Sequence, residues 1–473
     1  MSPSDVLGVS RRAWLICALV SAGAAVWLWA YQPFLLDDAY ITLHSARHLG
    51  EASDPSFRGA TPMTGVTSPV HVVMIWLVGR IAPLEVALAV VLGIGWFVYL
   101  SGLWAVGAGL ASPYRWMLVL TGLLVARMPF QLVNGLETTL SLGMLTWTCA
   151  GLNRVNLPRW TPLLAGTLPF LRPEYALFTL AVVGIAAWRG ERSLVGGLAV
   201  VLLAWTGLTL NIGGSVPPAT IAVKRAFYAL PPLPWAIVLV RVPLRAVREL
   251  GPTLIGMGMF WRSEVMRPIG LAAAALVAGC LAFPIMTLMD SGRYLHFLVP
   301  LLLCGLAWLA REHPPLGKAA LALSVVWALV MLPKPLASYH YRKAYIRSYV
   351  EVSAWLEHHP VATPVLIHDA GYISEATSLP LIDLVGLKSP EVSSIHRALT
   401  ETSAGARMAE AITKIAALTR PGTFVVQRHF DEVNGLTANL EHSGWTVTAL
   451  VHAPSDAEFS IYALRPPPDP ESK

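Results

Sequence analysis

The chain has 473 residues, of which 55% are hydrophobic and only 13% charged, and its mean hydropathy is +0.58. That balance excludes an ordinary soluble enzyme and points to a polytopic helical membrane protein. The net charge of +6 does not mark a nucleic-acid binder, because the basic residues sit in short clusters between apolar runs, where positive-inside topology accounts for them.

Arg11 and Arg12 precede an apolar run from Ala13 to Ala30 with no cleavage region of small residues after it. It reads as an anchored first helix with a cytoplasmic N-terminus. Beyond it stands Leu36-Asp37-Asp38-Ala39-Tyr40-Ile41-Thr42. Two adjacent carboxylates at a membrane interface are costly unless solvated, paired or bound, which makes them functional candidates. The piece from Tyr40 to Gly50 mixes Ile41, Ala46 and Leu49 with Thr42, His44, Arg47 and His48, and is expected to lie along the membrane surface.

The segment Val70 to Leu84 decides the topology. If it crossed, every later basic cluster would face outward; as a juxtamembrane or re-entrant helix it leaves Arg115, Arg154, Arg189, Arg245 to Arg267 and Arg311 in the cytoplasm. With that parity the crossings run over 86–110, 115–131, 138–152, 160–171, 175–188, 193–210, 232–247, 269–288, 296–310 and 319–333, about eleven in all with the first helix. The same parity gathers Asn134 to Thr138, Arg172-Pro173-Glu174, Asn211 to Tyr228 and Asp290 to Tyr294 on the external side with Asp37. The four cysteines, Cys17, Cys149, Cys280 and Cys304, lie in apolar stretches and read as small core residues.

From Lys334 onward, charged and soluble-type patterning replaces the long apolar runs. Tyr349 to His358 and Ala404 to Leu418 read as helices; Val365 to His368, Thr423 to Gln427, Thr446 to Val451 and Phe459 to Leu464 read as strands. The expected organisation is a transmembrane domain over 1–333, with a periplasmic loop at 33–84, and a periplasmic α/β domain over 334–473 ending in a disordered Pro-rich tail. No internal repeat, Walker motif, dinucleotide loop or Ser-centred nucleophile elbow is present.

A carboxylate at a membrane-facing cleft can deprotonate an acceptor hydroxyl as it attacks a sugar carbon while a lipid phosphate leaves. Asp37 and Asp38 are the candidates. Asp38 can raise the proton affinity of its neighbour, orient it, or share a divalent cation with it, and any metal would be held by this pair. The pair also fits a charged end to the first helix. A leaving phosphate needs cations, for which Lys224, Arg293 and Arg172 are available, each equally at home as a snorkelling side chain. Glu137 and Glu174 can hold sugar hydroxyls or pair with Arg172 and Arg127. Tyr40, Asn134, Tyr294, His296, His368 and Asp369 complete the sugar- and acceptor-binding candidates, with a strand-end turn the alternative reading for His368 and Asp369.

Asp37-Asp38-Ala39-Tyr40-Ile41-Thr42-Leu43, Gly65 with Thr67-Ser68-Pro69, Asn134-Gly135-Leu136-Glu137-Thr138, Arg172-Pro173-Glu174, Pro218 to Lys224, Gly292-Arg293-Tyr294, and Asp369-Ala370-Gly371 with Ile382 to Leu387 follow in order. Together they resemble the landmarks of GT-C fold glycosyltransferases, nearest the mycobacterial arabinofuranosyltransferases that use decaprenyl-phosphate arabinose. The resemblance implies an inverting transfer from a polyprenyl-phosphate sugar to a cell-envelope glycan or surface-protein acceptor at the bacterial inner membrane, with no further cofactor beyond a possible divalent cation. It makes Asp37 the catalytic base, Asp38 its partner, and Lys224 and Arg293 the residues facing the lipid phosphate. The chain departs from the family at His44-Ser45, Thr64, Val66 and Ala219, which leaves the sugar open. A lipid-linked-sugar flippase or transporter is the alternative, although such proteins place their charges near the bilayer midplane, often in repeated halves.

Overall fold

A computed structural model of the chain describes residues 9–30, 34, 36–154, 157–229, 234–262, 264, 266–282, 294–451 and 459–468. It divides into two compact units: Met1–Gln32, Ile81–Leu208 and Leu233–His340 form the first, and Pro33–Arg80, Thr209–Pro232 and Tyr341–Lys473 the second.

The first unit is helical, and a helix stands at each of the apolar runs expected to cross. Among the described residues five helices are long and apolar enough to span a membrane: Arg11–Ala30, Leu84–Val106, Arg192–Asn211, Leu295–Glu312 and Pro314–His358. Thr161–Leu171, Pro173–Trp188 and Arg267–Gly279 are shorter apolar helices. In lipid there is little hydrophobic drive between helices, so close backbone approach through small residues does the packing. A Cβ added at Gly95 would lie 2.3 Å from Thr139 Oγ1, and one at Gly143 would lie 2.8 Å from the Tyr99 amide nitrogen. The Leu84–Val106 and Thr138–Leu152 helices therefore meet nearly backbone to backbone. Arg127 and Arg245 both pair with the buried Glu249, at 3.2 and 3.3 Å. Arg127 thus has Glu249 as its carboxylate, rather than Glu137 or Glu174.

The second unit assembles three separate stretches of chain. Its five strands are β1 (Val365–Ile367), β2 (Leu381–Asp383), β3 (Thr423–Gln427), β4 (Thr446–Val451) and β5 (Phe459–Arg465), in the order β2-β1-β3-β5-β4. β1 pairs parallel with β2 and β3, whereas β5 runs antiparallel between β3 and β4. Strand β2 is absent from the sequence reading because three residues between Pro380 and Gly386 carry no alternation that can be recognised. The first loop joins this sheet: Phe57 bridges Leu381, and the Leu381 amide donates to the Ser56 carbonyl at 2.8 Å. Ile41 of the Asp37–Arg47 helix and Val223 and Phe227 of the Ala219–Phe227 helix pack in one core with Leu366, Phe424, Ile412 and Leu440.

One expectation changes here. The Asp37–Arg47 helix does not present one face to a membrane surface, because Ala39 through Ala46 are buried on every side. His44 and Ser45 can be inside because both are paired: His44 Nε2 lies 3.0 Å from Asp54 Oδ1, and the Lys388 ammonium donates to Ser45 Oγ at 3.0 Å. The deciding segment is a Pro69–Gly79 helix of 11 residues, about 16 Å long and too short to span a bilayer.

Lys388 is fully buried and lies 3.3 Å from Asp54 Oδ2, with the Pro62 carbonyl accepting at 3.0 Å. Burial works to raise the Asp54 carboxyl, but the His44 hydrogen bond and the Lys388 charge outweigh it and hold the group at about 2. A depressed acid stabilises the fold above its unfolded value, and that stability is lost as pH falls through the folded one. Lys388→Ala leaves a buried carboxylate without its cation, a loss of about 3–5 kcal/mol. Thermal melting of the full chain in detergent should fall accordingly, and its acid-unfolding midpoint should move to higher pH than that of the wild type.

Candidate functional site

The helix that begins at Asp37 has no side-chain cap, so its first-turn acids meet the positive end of the helix dipole directly. Asp37 reaches across 334 residues of sequence: Oδ2 accepts the Gly371 amide at 2.8 Å, and Oδ1 accepts the Tyr372 amide at 2.6 Å. Only glycine fits at 371, since a Cβ there would stand 2.0 Å from the Asp37 carbonyl oxygen and 2.6 Å from Oδ2.

Asp369, two residues earlier, accepts the hydroxyls of Tyr345 at 2.9 Å and of Tyr349, and lies 3.3 Å from His368 Nδ1. Burial opposes its ionisation, but the charge and hydrogen bond of His368, with the two phenols, hold Asp369 well below the usual carboxylate range. Asp37 moves the other way. Burial first, then the neighbouring charges of Asp369 and Asp38, push it well above that range despite the two amide bonds. The unit thus holds one carboxyl kept ionised and another with a high affinity for protons, the division of labour by which environments set acid and base roles.

Asp38 turns to a different partner. Its Oδ2 lies 3.6 Å from the Lys224 ammonium, both side chains being about one-third exposed (37% and 29%). On the Ala219–Phe227 helix the i, i+4 pair Val223 and Phe227 faces the core, which sets Lys224 on the adjoining face beside Asp38. Tyr40 serves structure: its hydroxyl accepts the Phe34 amide at 2.7 Å, and its ring meets Tyr372 edge-on at 4.7 Å. His368 is packed against Phe430 at 3.7 Å between ring centroids, close to Phe227. Asp383 is spent on a strand-end turn, its oxygens accepting the Val385 and Lys388 amides at 2.9 and 2.8 Å. Burial nonetheless raises it to about 6.

Asp37, Asp38, Tyr40, Lys224, His368 and Asp369 therefore share the second unit. The remaining candidates in described positions share the first. There Arg172, only 2% exposed, donates to Glu137 at 2.8 Å and lies 3.6 Å from Glu174. Its guanidinium also sits over the rings of Tyr294 and Phe297 at 5.7 and 4.9 Å, with His296 edge-on to Phe297 at 4.2 Å. Asn134 ties the turn before Glu137, donating to Gln131 at 3.1 Å and accepting the Leu136 amide at 2.9 Å. Arg293 lies outside the described residues.

The sequence reading missed Tyr345 and Tyr349, although Tyr341, Tyr345 and Tyr349 at intervals of four already place three phenols on one helix face. It also missed Asp54 and Lys388, whose pairing has no local signature. Among the described residues no three His, Cys, Asp or Glu side chains group so as to hold a metal ion. Asp37 and Asp38 have no third such side chain grouped with them among the described residues.

Residues 337–462 match the profile of a domain of unknown function, DUF8728. A comparison with curated proteins gives no match. Among solved structures, the crystal structure of ArnT from Cupriavidus metallidurans bound to undecaprenyl phosphate aligns with a TM-score of 0.57 and 12% identity, over 96% of this chain and 98% of that one. At that identity the likeness is one of fold, and it runs through helices and C-terminal sheet alike.

The Arg172–Glu137 pair carries its own test. Arg172→Ala strands a buried carboxylate and should destabilise the protein by about 3–5 kcal/mol; Arg172→Met combined with Glu137→Gln should recover most of the loss in a detergent melting experiment.

Proposed function

We propose that this protein is an inverting membrane glycosyltransferase that moves a sugar from a polyprenyl phosphate to a hydroxyl of a cell-envelope glycan or surface protein. The observation that carries the reading is the juxtaposition in one unit of a carboxyl with high proton affinity, Asp37, and an ion-paired carboxylate and ammonium, Asp38 and Lys224. The fold shared nearly end to end with a protein crystallised with undecaprenyl phosphate supports a lipid-phosphate donor. The ordered GT-C landmarks of the sequence support sugar transfer, and those nearest the arabinofuranosyltransferases favour a pentose. We place the protein in the bacterial inner membrane with about eleven crossings, the catalytic residues and the C-terminal domain being periplasmic.

In this mechanism the acceptor oxygen attacks the anomeric carbon as Asp37 takes its proton. The bond from that carbon to the phosphate oxygen breaks, and the electron pair leaves with the phosphate, whose charge Lys224 meets at partial exposure. Asp38 holds Lys224 in place before the donor arrives.

General-base help is worth about 10²- to 10⁴-fold. Purified Asp37→Ala should lose activity on that scale when label is followed from a polyprenyl-phosphate pentose to envelope acceptors. Wild-type rates in the variant would overturn the mechanism, and movement of labelled lipid across the bilayer without transfer would mark a flippase instead. Because a base must be deprotonated to act, kcat/KM should rise with pH along a limb above the usual carboxylate range. Lys224→Met should raise KM for the lipid donor and leave melting within a few degrees of the wild type.

A further inference from the structure

Both oxygens of Asp37 are fixed by consecutive amides, Gly371 and Tyr372, of a turn that starts at Asp369. That turn is itself tied down, because Asp369 accepts hydroxyls from Tyr345 and Tyr349 on the Pro333–His358 helix. Nothing in a merely structural turn requires a second half-buried carboxylate beside the first. An asparagine would accept the same phenols without bringing a like charge toward Asp37.

We propose that Asp369 is a positioning residue for the Asp37 base: held by the Tyr345 and Tyr349 hydroxyls, it fixes the turn whose Gly371 and Tyr372 amides direct the Asp37 carboxyl. This rests on the reading of Asp37 as the base. His368, 3.3 Å from Asp369, and the phenols of Tyr345 and Tyr349 keep Asp369 ionised, and the phenols share part of its charge, so they moderate what Asp37 experiences. On its own helix Asp37 also faces Asp38, whose charge Lys224 offsets, and the phenol of Tyr40. Glu375 and Tyr372 stand on the short helix that follows the turn, with Glu375 paired to Arg47. Of these, Asp369 exerts the largest charge effect on Asp37.

The test uses dicyclohexylcarbodiimide, which reacts with protonated carboxyl groups, on the full chain in detergent, with Asp37 labelling followed by mass spectrometry across pH. In Asp369→Asn the labelling midpoint of Asp37 should fall by about one pH unit or more, since the like charge is gone. In Tyr345→Phe it should rise, because one hydroxyl no longer shares the charge of Asp369. A general loosening of the fold would not move the two variants in opposite directions. Unchanged midpoints in variants that melt cooperatively would overturn the proposal. Should Asp369→Asn fail to fold, the direction of the shift in Tyr345→Phe decides alone. Shifted midpoints together with full transfer activity in Asp37→Ala would sustain the coupling and overturn the base assignment instead.

Discussion

Two backbone amides, Gly371 and Tyr372, hold the carboxylate of Asp37, and the chemistry of the second unit follows from that capture. A half-buried carboxylate that accepts amide bonds would ordinarily be a strong acid. Here burial and the adjacent charge of Asp369 overcome those bonds, so the group is fixed in direction yet ready to take a proton. The absence of a side chain at 371 is part of the device, since any Cβ would push into the Asp37 backbone. The turn from Asp369 to Tyr372 thus supplies the two amides and one of the charges that act on Asp37, beside burial and Asp38.

The two acids of the N-terminal motif look interchangeable as letters and are unlike in place. Asp37 is directed into its own unit, where its environment is made of amides and a fixed charge. Asp38 is turned toward Lys224 at partial exposure, where solvent and ligand can compete for the ammonium. The difference of about 100° per residue around a helix is enough to send adjacent side chains to different surroundings. Lys224 is in turn oriented by Val223 and Phe227, which are anchored in the core.

What the sequence revealed depended on whether the responsible interaction was local. Long apolar runs such as Leu84–Val106 declare themselves because each residue contributes to the same signal. The strands β3 and β5 were legible for the same reason, whereas β2, held by the neighbour β1 and by the Ser56 carbonyl of a distant loop, was not. The mistaken surface helix shows the limit most clearly. His44, Ser45 and Arg47 look like a polar face until Asp54, Lys388 and Glu375 are found opposite them. Asp37 and Asp38 stood out as costly charges, but nothing near them in the chain says that Gly371 and Lys224 are their partners.

The Asp54–Lys388 pair also bears on how the protein comes into being. Both groups are buried, and 334 residues separate them. At a synthesis rate of about 5–20 residues per second, the loop that carries Asp54 is made roughly 17 to 67 s before its cation exists. During that interval the acids at 37 and 54 have neither their amides nor their lysine, and the loop that carries them cannot complete its fold. A chain cut short anywhere before Gly371 would therefore lack both amides that hold Asp37 in position.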